Sequence, residues 1–597
     1  MNFREFVKYV LVVIVSTLAT LGILFFLLYV TLVGLASGLQ KLSEDTESSK
    51  KIKAHTVLEL RLDYPVKEYN ESPFENFDPA TFKFKPTLTL HQIIEAIRMA
   101  EEDVNIDGLV IHPGILQAGS EHIEEIREAL KEFSLSGKKV YSYSEVYTQK
   151  GYYLASAGKR LFIHPMGIME WKGLASQVFF YKELLQKLGI NMQVIRHGKF
   201  KSAVEPFIQD SMSMENRVQI KTLLQDVWDV YTTGIYEDRQ LIPGLLDKAA
   251  NDLPYVTAGE WANAGFFDRV FNSDELIDTL TTYMGGEDEI TFLTETEYYY
   301  KKRLSKLFDK SFGEDKIAVI VAEGEIVDGE GERNQIGADR MKKLIRKIKR
   351  NKNIKAVVLR INSPGGSALA SDLIWEELMA LKEKKPLIIS MGNVAASGGY
   401  YIASAGDYIF TGNTTITGSI GVFGLIPDMS GFFEDKLHIK IDTVKTHPHA
   451  DMGVLRPLDE KEKAYFQKSV EYVYQTFLQR VAEGRDMPVS RVDSLGQGRI
   501  WSGKRAVTLG LADETGSLDD AIKHAALAAG ITDYEIKFYP KTETSLFSFM
   551  SMSEAETRMQ RKILQRLLGI EFIPAVNRWK RQNQILARMP FEIKWAE

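Results

Sequence analysis

A serine set between an apolar strand and the start of a helix is the first residue in this chain that could do covalent chemistry. The stretch is Pro386 to Gly406, PLIISMGNVAASGGYYIASAG, in which Gly398 and Gly399 follow Ser397. Leu387 to Met391 predicts a buried strand, and the alanines and glycines around Ser397 leave room for backbone and substrate to come close. A helix N-terminus beyond the serine offers unbonded N–H groups that can stabilise developing negative charge. A tight glycine turn with a serine N-cap accounts for the same residues without any chemistry.

A serine hydroxyl is a poor nucleophile without a base. None of the ten histidines sits in a recognisable His-Asp motif, and a Ser-His-Asp triad stays open because its partners need not be close in sequence. His447-Pro448-His449 with Asp451 matches no metal-ligand spacing and reads as a solvated loop. Lysine can serve instead if burial lowers its pKa from about 10.4 toward 7. Lys201 stands out by context, set between Phe200 and the small apolar run Ser202-Ala203-Val204, just before Glu205-Pro206. The chain has no cysteine, which excludes thiol catalysis, Cys-ligated zinc and disulfides. A net charge of −6 with interspersed signs leaves no electrostatic footprint for nucleic acid.

The elements that must position these residues come in two sets. Thr56 to Leu62 alternates at period two and predicts a strand, Leu90 to Ala100 after Thr89 a helix, and Leu109 to Ile111 a short buried strand. IDGLVIH from Ile106 lies against IKAVVLR from Ile354, and GYYLASAG from Gly151 against GYYIASAG from Gly399, each pair 248 positions apart. Two tandem copies of one α/β unit follow. They diverge where the chemistry would be: Gln149 and Lys150 stand at the places of Ser397 and Gly398. Copy one has only His112-Pro113-Gly114 where copy two has the turn Asn362 to Ser367, and copy two has no basic residue at the place of Lys201, which falls near Met452.

No charge interrupts Tyr9 to Leu39, a run too long for a cleaved signal peptide, so a single membrane anchor is expected there. Flanking lysines slightly favour a cytoplasmic bulk of the chain. The expected order is an anchor over 1–40, a tether over 41–55, a first repeat over 56–297 carrying Lys201, a connector over 298–315, a second repeat over 316–545 carrying Ser397, and a helical tail over 546–597. In that tail Ile563, Leu564, Leu567 and Leu568 share one face of a basic helix.

At these residues the sequence resembles the long-form bacterial signal peptide peptidases of the SppA type, membrane-anchored serine peptidases of the Clp/crotonase superfamily. The resemblance runs from about residue 55 to 545 and rests on GNVAASGGYYIASAG, INSPGGSA, TGSIGVFG (Thr417 to Gly424), GKFKSAVEPF, the anchor and the duplication. It implies an α/β fold of tandem Clp/crotonase-like ββα spiral domains, Ser397 as nucleophile and Lys201 as general base. The oxyanion hole would use backbone N–H groups of Gly365, Gly366 and Gly398, and Ser419 is a candidate supporting residue. It further implies no cofactor and no metal, hydrophobic peptides such as released signal peptides as substrates, contact with membrane lipid through residues 9–39, and a homotetramer. The location would be the bacterial inner membrane, single-pass, with the catalytic part on the periplasmic side, against the charge count. A crotonase-type acyl-CoA enzyme would need CoA but not Lys201, and a non-catalytic membrane scaffold would need neither Ser397 nor Lys201.

Overall fold

The computed structural model describes residues 52–70, 87–285, 290–306, 315–332 and 334–540, together with three short strands, Phe77–Asp78, Lys83–Phe84 and Leu586–Arg588. The expected anchor and the apolar helix face around Ile563 lie outside the described residues. Among the described residues no helix is long and apolar enough to cross a membrane. Of the expected helical tail only 586–588 is described, and there the backbone pairs as a strand, not a helix.

Both copies form a sheet of mainly parallel strands with helices packed on its faces; in the second, strand 500–502 adds antiparallel to 416–418 at one end. In the first half the strand order is 269–270, 160–169, 139–147, 106–112, 56–61, 291–294, all neighbours parallel. In the second half the path 416–418, 387–396, 354–363, 316–323, 535–539 repeats that order, and strand 408–411 joins it through 387–396. The runs that form these strands are apolar on both faces, as a doubly covered parallel sheet requires: Leu109, Val110 and Ile111 have no exposure, nor have Val357, Val358 and Leu359. Helix Leu90–Glu102 starts where its signals say, with Thr89 and Gln92 closing a capping box. The 26-residue helices Met214–Arg239 and Glu460–Arg485 stand at equivalent places in the two halves. The stretch expected as a connector opens inside helix Glu295–Lys306, whose Tyr298 and Tyr299 are buried in the first core, so those turns pack with the first half.

Among the contacts that tie the halves together, two span the sheets. A third sheet, ordered 335–337, 325–327, 365–367, 586–588, 422–428, 191–197, takes its last strand from the first half. Strand Asn191–His197 runs antiparallel to Val422–Asp428 from the pair Val422 and His197 to the pair Asp428 and Asn191, and its Ile195 joins the core of the second half. Elsewhere Arg360, fully buried on strand 354–363, donates to Glu68 at 2.8 Å and Glu125 at 2.5 Å, both carried by the first half. Buried charges tolerate such a place only when paired.

Candidate active site

Strand Leu387–Ala396 ends at Ser397, and helix Gly398–Ala403 begins one residue later. Ser397 takes φ 55° and ψ −115°, a region that side-chain-bearing residues rarely adopt and that costs on the order of 1–3 kcal/mol. The strain is held by its own N–H, which donates to Gly418 O at 2.8 Å, and by its carbonyl, which accepts from Tyr401 N–H at 2.8 Å. Gly399 lets the helix start this close to the neighbouring strand, because a Cβ there would stand 2.7 Å from Ser363 O. The serine occupies the N-cap position without capping. Its hydroxyl is turned instead toward a lysine.

That lysine is Lys201, which reaches the second half just past strand Asn191–His197. Its Nζ lies 2.8 Å from Ser397 Oγ, 3.0 Å from Ser419 O and 3.1 Å from Ser419 Oγ, and both Lys201 and Ser397 are fully buried. All three partners are neutral oxygens. Burial alone therefore pushes the Lys201 ammonium well below the ordinary lysine range, with no carboxylate to hold it up. In the sequence the large apolar neighbour of Lys201 is Phe200. Phe200 is only half-buried and lies under the Arg499 guanidinium; the close cover comes from two glycines of the second half. A Cβ on Gly498 would stand 2.6 Å from both the Cβ and the N of Lys201, and one on Gly421 would stand 3.2 Å from its Cδ. The lysine loop is fixed by backbone and amide bonds. Phe200 N–H donates to Gln497 O at 2.9 Å. Gln219 Nε2 donates to Ser202 Oγ at 2.9 Å and to Phe200 O at 3.2 Å, while its Oε1 accepts from Ile500 N–H at 3.3 Å.

Ser419, expected only as a support, accepts from Lys201 through two oxygens and sits at φ 52°, anchored by its N–H on Arg499 O at 2.7 Å. Of the glycines expected to stabilise an oxyanion, Gly365 has φ 95° and forms the turn, but its N–H is engaged by Ser363 Oγ at 3.1 Å. Gly366 fits against strand 325–327 so tightly that a Cβ would fall 1.9 Å from Ile326 O. Gly398 opens the helix beside Ser397, where a backbone N–H has no intrahelical partner. His197 lies elsewhere, stacked on the Tyr474 ring at 4.1 Å between centroids.

The counterpart corner of the first half is built differently. Gln149 is the first residue of helix Gln149–Ala155, and its amide clamps a loop: Oε1 accepts from Gly173 N–H at 2.7 Å and Lys172 N–H at 3.1 Å, and Nε2 donates to Gly173 O at 3.1 Å. Met452 stands in a loop at the surface. The residues His447, His449 and Asp451 do not form one cluster. Asp451 takes Lys445 at 3.0 Å and Arg456 at 2.7 Å, while His449, Asp459 and Glu462 converge around a carboxylate that Arg456 already neutralises at 2.6 Å.

Sequence reasoning missed Gly498, Gly421 and Gln219. Gly421 lies in the Thr417 to Gly424 motif and Gly498 in the glycine pair of Leu495-Gly496-Gln497-Gly498-Arg499, signals to which only the distance to Lys201 gives meaning.

Residues 132–285 and 379–532 each match the profile of Peptidase family S49, and residues 313–415 match that of Clp protease. Among similar proteins, "Protease 4" of Salmonella typhi is 34% identical over 511 residues, covering 84% of this chain and 82% of that protein. "Protease 4" of Haemophilus influenzae is 32% identical, covering 80% of each. "Serine protease SPPA, chloroplastic" of Arabidopsis thaliana is 33% identical, covering 76% of this chain and 68% of its own. The two S49 matches fall one in each half, in step with the internal repeat.

Proposed function

This chain belongs to peptidase family S49 and is a serine peptidase, and we propose that it works as a membrane-anchored endopeptidase with a Ser–Lys dyad, cutting released signal peptides and other hydrophobic peptides. The observation that carries the reading is the 2.8 Å approach of Lys201 Nζ to Ser397 Oγ with both groups out of water. A neutral lysine accepts the serine proton as Oγ attacks the scissile carbonyl, and the resulting ammonium hands that proton to the leaving amine. Water then resolves the acyl-enzyme through the same base. The ammonium has three donors: two are held by Ser419 O and Oγ, which leaves the third for the reacting atoms. Gly398 N–H is the donor best placed for the oxyanion. Gly366 lends close approach, and Gly365 shapes the turn while its own N–H stays with Ser363.

The uncharged run Tyr9 to Leu39 supports an inner-membrane, single-pass anchor beside which apolar peptides would be met, with the catalytic part on the periplasmic side and the chain assembled as a homotetramer. Labelling with a fluorophosphonate, followed by mass spectrometry, tests the dyad: wild type should label at Ser397 while Ser397→Ala and Lys201→Ala should not. Equal labelling of Lys201→Ala would remove the lysine from the chemistry.

A further inference from the structure

Shortly after Lys201 the chain buries a carboxylate that pairs with no cation among the described residues. Glu205 has no exposure, and its oxygens accept from Ser213 Oγ at 2.5 Å, Ser213 N–H at 3.2 Å and Asn216 Nδ2 at 2.9 Å. Ser213 is the N-cap of helix Met214–Arg239, so the carboxylate sits at the positive end of that helix. Burial is what moves the Lys201 ammonium, with no part played by Glu205. The charge is spent on the helix and not on the base.

A carboxylate only accepts hydrogen bonds, so it dictates which way each amide beyond it points. Asn216 turns its Nδ2 to Glu205, which leaves Oδ1 to accept from Ser202 Oγ at 3.0 Å and from Gln219 Nε2 at 3.2 Å. Gln219, so turned, also donates to Phe200 O, and its Oε1 is left for Ile500 N–H of the second half. Ser202, Asn216 and Gln219 are all buried. The relay thus begins at Glu205, clasps both chain neighbours of Lys201, and ends on the half that carries Ser397. The equivalent helix of the second half shows this corner without a base to hold. Arg456 precedes Pro457 as Glu205 precedes Pro206, and the third helical residue is Glu462 where the first half has Asn216. Glu462 closes a capping box on Asp459 and takes Arg456 at 2.6 Å, so that corner is closed by an ion pair of its own.

We infer that Glu205 is a positioning residue of the peptidase reaction, which holds the Lys201 loop within reach of Ser397 by fixing the direction of Asn216 and Gln219. The inference rests on the Ser–Lys reading of the site. Glu205 touches no substrate and transfers no proton, so its effect belongs to the rate of attack and not to peptide binding.

The test follows the time course of fluorophosphonate labelling of Ser397 in full-length variants. Glu205→Gln puts a donor where the relay needs an acceptor, so the labelling rate constant should fall about 10- to 100-fold while labelling still reaches one per chain. KM for a short apolar peptide should stay within about twofold of wild type. A wild-type rate would overturn the inference, and so would a lowered labelled fraction that reacts at the wild-type rate, the mark of a merely structural role. The double variant Glu205→Gln with Asn216→Asp moves the carboxylate one step along the relay and restores an acceptor for Ser202 and Gln219. It should recover the rate to within about threefold of wild type; a double variant as slow as the single one would contradict the relay. The pH midpoint of labelling in Glu205→Gln should match wild type, whereas a move to lower pH would show the carboxylate acting on the ammonium by its charge and overturn the positioning role. Labelling that is unaffected by Lys201→Ala would overturn the dyad reading itself, an outcome read without any Glu205 variant.

Discussion

Ser397 and Gln149 occupy the same corner of two copies of one unit, and the corner does opposite work in each. In the second half the backbone is forced to φ 55° and the side chain is left to a buried lysine. In the first half the position is ordinary helix, and the side chain is spent holding Lys172 and Gly173 in place. The base shows the reverse asymmetry. Lys201 belongs to the first half but is buried by Gly421, Gly498 and Ser419 of the second, whereas the second copy's place for it falls near Met452 in a surface loop. Duplication therefore kept one sheet architecture twice, and under the proposed dyad one active site is divided between the copies. In the first half the nucleophile's position is filled by Gln149, whose amide holds a loop, whereas in the second half the place of the lysine is left to the surface near Met452.

The sharpest way to break this contrast is to remove the nucleophile. Ser397→Ala should lower peptide turnover about a thousandfold or more while far-UV and thermal unfolding stay close to wild type, because only one oxygen is lost. The next largest effect should come from a residue that touches no substrate. Gly498→Ala drives a Cβ into the Lys201 backbone and asks a non-glycine residue to hold φ 79°, so kcat/KM should fall about 10- to 100-fold through misplacement of the base. Ser419→Ala deletes one of the oxygens that orient Nζ and should cost about tenfold in kcat. Since that oxygen accepts from the ammonium and so favours it, the rising limb of the pH profile should also move to lower pH. A limb that moves to higher pH would mean that Ser419 acts some other way.

The smallest effect should be seen in the silent corner. Gln149→Ser should create no second site of covalent labelling, because no base reaches it, and activity should be unchanged. Stability should drop by about 1–2 kcal/mol as the loop amides lose their acceptor, readable as a fall of a few degrees in Tm. A labelled residue at position 149 would mean that the halves differ less than their hydrogen bonds indicate.

Much of this site was legible in the sequence, for reasons that also mark where legibility ends. Ser397 announced itself through local composition, since alanines and glycines flank a nucleophile that needs close approach, and Gln149 was visible as its replaced twin. Lys201 could be picked out only together with a family resemblance, because its dryness is supplied by residues more than 200 positions away, not by the neighbouring Phe200. Gly498 carries no local signal beyond its glycine-pair context, and Gln219 carries none. Their importance lies in a 2.6 Å approach and a bridging amide, which exist only once strand Asn191–His197 has docked on Val422–Asp428. The apolar spacing near Ile563 predicts a helix that lies outside the described residues, while strand Leu586–Arg588 takes its form from the edges it meets, not from its own pattern.

The central claim is that a neutral lysine from one half activates a serine from the other, and the pH dependence of Ser397 labelling tests it most directly. Below the folded pKa of Lys201 the group is an ammonium and cannot accept a proton. The labelling rate should therefore rise with pH through that pKa and level off above it, with a midpoint well below the ordinary lysine value of about 10.4. Lys201→Arg keeps the charge but stays protonated, so it should remain at background at every pH. His197→Gln should follow the wild-type curve, since that imidazole is stacked on Tyr474. An active Lys201→Arg together with an inactive His197→Gln would contradict the account and move the base to the histidine.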